Sequence, residues 1–338
     1  MTAARILAPN QVAVERLELP KPAAGEVLIE VARAGVCGTD IHILRGQYEL
    51  ARLPVTPGHE FAGTVVAVGE GVLRRRVGDR VTVDPNVACL TCDECLRGAF
   101  NQCVDLQAIG VTRDGAFARY LVAPERSVYP IGDLSFEVAA LIEPLACVAW
   151  GLCRLTLPSG YSALIYGAGP MGCLLLQALR TAGAVRVAMV DVVESRLAIA
   201  KELGADAALT PDEARRLDTF APSGFELVVD ATGVPSVLEA AMARVRPAGT
   251  IWVFGVAPEV SRISVSPYQL FRRDLTLMGS FAVNRTFPEA ISLIRSGAVR
   301  TEPLISHVLP IEEFREGLEV AQHDPSRMKV QFSLDGTR

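Results

Sequence analysis

The sequence predicts an α/β protein of two domains, one a barrel-like β domain and the other a doubly wound parallel sheet. Three observations carry this. The chain has 338 residues, enough for two domains of ordinary size. To about residue 130 it reads as short strands punctuated by Pro and Gly, with little helical periodicity. From Ser162 onward, strand-like and helix-like segments alternate, as they do when helices cover both faces of a parallel sheet.

In chain order, residues 27–31 (VLIEV) form a strand approached through Pro20, Pro22 and Gly25. Residues 37–42 turn and open a short helix, with Thr39 or Asp40 near its cap. Residues 56–63 turn into the β-branched strand 64–69, and 77–83 form another turn and strand. The Ala-rich stretch 136–157 predicts one long buried helix. Strands follow at 163–166, 185–190, 227–230 and 250–254, and helices at 170–181, 194–203 and 235–245. After residues 275–279, a helix at 288–296 and a last β segment return to the first domain. The expected division is therefore 1–150 together with 277–338, and 151–276 between them.

Half the residues are hydrophobic and the formal charge is −5, so the chain can bury a large core. That balance gives no electrostatic reason to expect nucleic acid or an anionic membrane as partner. Lysine occurs only at Lys21, Lys201 and Lys329, which reads as compositional bias. No apolar run reaches the roughly 18 residues of a membrane-spanning helix, and the N-terminus has no signal-peptide core. A cytoplasmic location is expected, and there clustered cysteines are metal ligands more often than disulfides.

Cys89, Cys92, Cys95 and Cys103 place four thiols within fifteen residues. Short loops between thiols suit a closed tetrahedral structural zinc. An iron–sulfur cluster also uses four Cys, but nothing in the sequence points to a redox partner. A nucleic-acid-binding ribbon is disfavoured because Arg97 is the one basic residue between the outer cysteines.

Gly167, Gly169 and Gly172 form a G-x-G-x-x-G turn between a strand and a helix. Pro170 and Met171 open that helix, whose N-terminus offers free N–H groups to a pyrophosphate. Asp191 ends the next strand, where a carboxylate accepts from ribose hydroxyls and repels a 2′-phosphate, so NAD is expected over NADP. Arg196, five residues on, is a charge that softens that exclusion or a solvated helix face. Thr232, Gly255 and Val256 lie just past later strands, at the ligand-binding edge of such a sheet.

Metal-capable groups also occur as Cys37, at His59 and Glu60, and as Glu143 in the apolar run Leu141–Leu145. A buried Glu requires a cation or hydrogen-bond donors. The set is a mixed S/N/O donor group of the kind that leaves one zinc position for water or substrate. With the fingerprint and the four-cysteine motif, these residues resemble the zinc-dependent medium-chain alcohol dehydrogenase family over essentially the whole chain. The likeness is strongest to its polyol (sorbitol-type) branch, on Cys37-Gly38-Thr39-Asp40-x-His42, Gly58-His59-Glu60 and Glu143-Pro144.

The resemblance implies a GroES-like catalytic domain joined to a Rossmann NAD-binding domain. It implies one catalytic zinc on Cys37, His59 and Glu60, with Glu143 bound directly or through water, and one structural zinc on the four cysteines. The activity implied is oxidation of a sugar alcohol by NAD in a homotetramer or homodimer. Zinc would acidify the alcohol, and a proton would leave through Thr39, the nicotinamide ribose and His42. Asp40 would orient His59. The chain departs from the branch at Ala282, where an Arg that contacts substrate is common, and at Trp150, where His is frequent. Tyr48, Phe117 and Phe281 are candidate pocket walls. L-Threonine 3-dehydrogenase, a sugar-phosphate dehydrogenase and a non-catalytic NAD- and zinc-binding protein are the alternatives.

Overall fold

The computed structural model of the protein describes residues 1–334. Two compact units emerge. The first comprises Met1–Ala146, Val283–Arg295 and the described residues from Leu304 onward; the second comprises Cys147–Ala282 and Ser296–Pro303. Relative to the sequence expectation, the chain re-enters the first unit at Val283 instead of residue 277. A short excursion, 296–303, belongs to the second unit.

The first unit is built on a seven-stranded sheet. Along it run Ile305–Pro310, Lys329–Ser333, Glu26–Gly35, Glu60–Val68, Arg80–Val83 and Val128–Pro130, while Tyr120–Pro124 also pairs with Glu26–Gly35. All these pairings are antiparallel except that between Ile305–Pro310 and Lys329–Ser333. Strand Glu26–Gly35 is central and almost wholly buried, which explains why it reads as a near-continuous apolar run. Phe117, Phe314 and Phe332 pack with ring centroids 5.2–5.4 Å apart, in the range of favourable aromatic contacts.

The second unit holds six parallel strands in the order Ala207–Leu209, Arg186–Val190, Ser162–Tyr166, Phe225–Asp230, Val245–Val253 and Thr276–Gly279. Numbered within the unit, this is the 3-2-1-4-5-6 order of a dinucleotide-binding sheet. The order reverses between Ser162–Tyr166 and Phe225–Asp230, which marks the switch point.

Several boundaries differ from the sequence reading. The stretch 136–157 splits into Phe136–Ala139, capped by Ser135, and Ile142–Cys153. Helix Pro235–Ala241 stops short because Val245 begins a strand. Contrary to the expectation of no membrane-length apolar run, Phe136–Cys153 passes that test by length and composition. It is 67% buried inside the protein, as a core helix would be.

Candidate active site and metal centres

The four cysteines sit on tight turns and one helical turn, Asp93–Leu96, whose N-cap is Cys92. All four sulfurs lie within 4.8 Å of one another. Cys89 Sγ is 3.9 Å from Cys95 Sγ, and Cys92 Sγ is 3.9 Å from Cys103 Sγ. A disulfide needs about 2.0 Å, whereas a tetrahedron of 2.3 Å Zn–S bonds has edges of about 3.8 Å. The cage therefore fits one zinc ion. Backbone N–H groups of Thr91 and Cys92 donate to Cys89 Sγ, and that of Cys89 donates to Cys103 Sγ. The Thr91 N–H and hydroxyl push the Cys89 thiol down to about 6, toward the thiolate a metal requires.

The second cluster joins residues far apart in sequence. Cys37 is the N-cap of helix Gly38–Leu44, displacing the expected cap at Thr39 or Asp40. His59 and Glu60 lie at the start of strand Glu60–Val68. Gly58, at φ +93°, makes the turn before them, and a Cβ there would meet Phe117 at 2.8 Å. One donor atom each from Cys37, His59 and Glu60 falls within 4.8 Å of the others. Among the described residues this and the four-cysteine cage are the two groups able to hold a metal. Glu143 is buried on helix Ile142–Cys153, outside that tight trio. Its charge nevertheless helps to raise both His59 and Lys329.

Asp40 acts by a different contact from the one expected. Its Oδ1 stands 3.8 Å from His59 Nδ1, too far for a hydrogen bond. Instead Oδ2 accepts from Cys37 N at 2.8 Å and Oδ1 from Gly58 N at 3.2 Å. The carboxylate thus ties together the two backbone segments that carry Cys37 and His59. Burial pushes Asp40 up, opposed by His59 and these N–H groups. Burial works against a charged His59, but Cys37, Asp40 and Glu143 outweigh it and hold His59 well above its ordinary value. Asp40 and Glu143 thus add acidic groups around the trio, offset on one side by Lys329 on Glu60. Thr39 Oγ1 lies 3.7 Å from Cys37 Sγ, and half-buried His42 follows one turn later.

In the second unit, Gly167 adopts φ +100°, and a Cβ on Gly172 would lie 1.9 Å from Gly167 O. Helix Pro170–Thr181 begins there with Pro170 and Met171 in its first turn. Asp191 accepts from Ala168 N at 2.6 Å and Val193 N at 2.8 Å, which fixes it beside the glycine turn. Thr232 caps buried Asp230 through both its N–H and hydroxyl, and Gly255 N donates to Asp230 O. Val256 follows, 71% exposed. Arg196 keeps a buried Nε without a hydrogen-bond partner.

Residues 23–133 match the alcohol dehydrogenase GroES-like domain, and residues 170–296 match the zinc-binding dehydrogenase domain. The chain belongs to the zinc-dependent medium-chain alcohol dehydrogenases. It is 41% identical to D-altritol 5-dehydrogenase of Agrobacterium fabrum, over 92% of this chain and 93% of that one. It is 37% identical to D-arabinitol dehydrogenase 1 of Uromyces fabae, over 94% and 93%. An alcohol dehydrogenase from Escherichia coli CFT073, solved with NADH, superposes with a TM-score of 0.93 at 32% identity. That match covers 98% of this chain and 99% of the other.

One sequence expectation for this dehydrogenase needs revision. Phe117 is fully buried in the Phe314–Phe332 cluster and is core rather than pocket wall. Arg285, four residues past Phe281, stacks on Phe100 of the cysteine lobe, 3.5 Å from the ring centroid. Tyr48 is half-buried against the core of the first unit, and burial, then Cys37, raises its hydroxyl. Phe281 is 45% exposed, and Trp150 has a buried Nε1 with no hydrogen-bond partner. Sequence reasoning missed Lys329, whose Nζ bonds both oxygens of Glu60. Its one signal was rarity, as one of three lysines in the chain.

Proposed function

We propose that this dehydrogenase oxidises a secondary hydroxyl of a sugar alcohol with NAD, giving a ketose, at a zinc held by Cys37, His59 and Glu60. The observation that carries the reading is the convergence of a thiol, an imidazole and a carboxylate within 4.8 Å. The chemistry that bound zinc supplies is Lewis acidity toward an alcohol oxygen, and that of NAD is acceptance of a hydride.

The protein's own groups do the rest. Asp40 holds the segments bearing Cys37 and His59 in register. Glu143, the second buried carboxylate, is assigned to hydrogen-bonding the incoming hydroxyl or water. Thr39, beside Cys37, is assigned to take the substrate proton as its hydroxyl releases its own, and His42, three residues along the same helical face, to carry a proton outward. Gly167, Gly169, Pro170, Met171 and Gly172 cradle the pyrophosphate, and Asp191 takes the ribose. Arg196, Thr232, Gly255 and Val256 border the same cofactor.

The names of the relatives support a five- or six-carbon polyol as substrate. A homodimer or homotetramer is supported by the open edge of strand Thr276–Gly279 and by exposed Tyr268, Phe271 and Leu277 around it. Clustered cysteines whose sulfurs are spaced for a metal and not for a disulfide support a reducing, cytoplasmic setting. The test is NAD reduction by the purified enzyme with altritol, arabinitol, sorbitol, xylitol, galactitol, 2,3-butanediol and L-threonine. Turnover of polyols is expected; turnover of threonine alone, or of nothing with zinc and NAD bound, contradicts the reading.

A further inference from the structure

Glu60 has a second commitment besides the metal cluster. Lys329 Nζ donates to its Oε1 at 2.9 Å and its Oε2 at 2.6 Å. A third bond runs from Nζ to Val36 O at 3.2 Å. An ammonium has three N–H donors, so this one is fully spent and geometrically fixed. Lys329 is 6% exposed and Glu60 1%.

Three adjacent strands build this pair. Glu60 begins one strand, Lys329 begins another, and Glu26–Gly35 runs between them. The pair spans that central strand above Gly35, where a Cβ would lie 2.6 Å from Glu60 Oε2 and 3.4 Å from Lys329 Cδ. One strand brings the carboxylate, one clears the space, and one brings the ammonium.

A metal alone would neutralise Glu60, and burying a lysine is costly in itself. The lysine therefore calls for a reason beyond neutralisation. A carboxylate whose two oxygens are both held by an ammonium donates more weakly to a metal and cannot turn to clasp it with both oxygens. Zinc bound by one thiolate and one carboxylate is formally neutral, and each further increment of donated charge reduces its power to acidify an alcohol.

Resting on Cys37, His59 and Glu60 as the ligand set, we propose that Lys329 is a positioning residue that restrains Glu60 to one weak metal bond. It thereby keeps a coordination position open and the metal acidic, at the expense of metal affinity. This makes zinc retention and turnover move in opposite directions. A purely structural ion pair would make them move together.

The test uses the purified full-length enzyme. Zinc per chain is measured by mass spectrometry across a chelator titration, alongside steady-state NAD reduction with the best polyol of the panel. In Lys329→Met, the catalytic zinc is held at least as tightly as in wild type, by up to about tenfold, while kcat falls about tenfold or more. Lys329→Arg, which keeps the charge and donors, stays near wild type in both. If Lys329→Met fails to fold, shown by loss of the four-cysteine zinc, Lys329→Gln carries the same test. Zinc and activity lost together, or both unchanged, overturns the proposal. A wild-type chain that binds only the zinc of the cysteine lobe overturns the ligand set as well.

Discussion

The two metal-binding regions are opposites in construction. The four-cysteine lobe closes within fifteen residues, and its four donors are alike. The trio proposed as catalytic draws unlike donors from two distant segments and is braced by Asp40 and Lys329. The lobe would surround an ion with four sulfurs and leave no position for a substrate. The trio offers three donors and leaves one. The lobe can thus be a staple and the trio a reaction centre, although both would hold the same element.

The largest way to break this comparison is to remove a donor from the trio. Cys37→Ser or His59→Ala should cut turnover by at least about a hundredfold. Zinc should fall from two to one per chain, with the far-UV circular dichroism unchanged. Unfolding in either variant would make the trio structural. Cys92→Ser should do the reverse, lowering the melting temperature by roughly 5 °C or more while the surviving folded enzyme keeps its kcat. Equal stability with full activity would remove the staple from the account.

Smaller effects sharpen the lobe's side. Asn284 holds it to the returning chain, accepting from Phe100 N at 3.1 Å and donating to Gly98 O at 3.0 Å. Asn284→Ala should cost about 1–2 kcal/mol in denaturant unfolding and speed zinc release from the lobe without touching the catalytic zinc. The smallest effect is one of pH. Burial pushes buried Asp84, near Arg285, up to about 7. Between the ordinary carboxylate range and pH 7 the folded chain therefore binds more protons than the unfolded chain, so stability falls as pH rises through that window. Asp84→Asn should flatten this slope; an unchanged slope would show that Asp84 does not carry it.

The same contrast explains what was legible in the sequence. The cysteine lobe and the glycine turn are local, so spacing alone exposes them. The sheet order of the second unit follows from strand–helix alternation and a fixed crossover hand. The trio was legible only because Cys37, His59 and Glu60 each sit in a recognisable short motif. Lys329 was not, since it meets Glu60 through strand register across 269 residues of sequence. Gly35 was equally silent, for its lack of a side chain matters only once the flanking strands are paired. Asp40 was placed near His59, but its hold on the backbone at Cys37 and Gly58 depends on a turn whose path sequence periodicity does not describe. The break between Ala139 and Ile142 was missed because both helices share one apolar composition.

The central claim is that one zinc reacts and the other only holds the fold. It is tested most directly by timed chelation of the native enzyme, following zinc per chain, polyol-dependent NAD reduction and circular dichroism together. The account predicts that activity disappears with the first zinc while the spectrum stays native. Activity that persists until the second zinc leaves, or that vanishes only as the fold is lost, would contradict it.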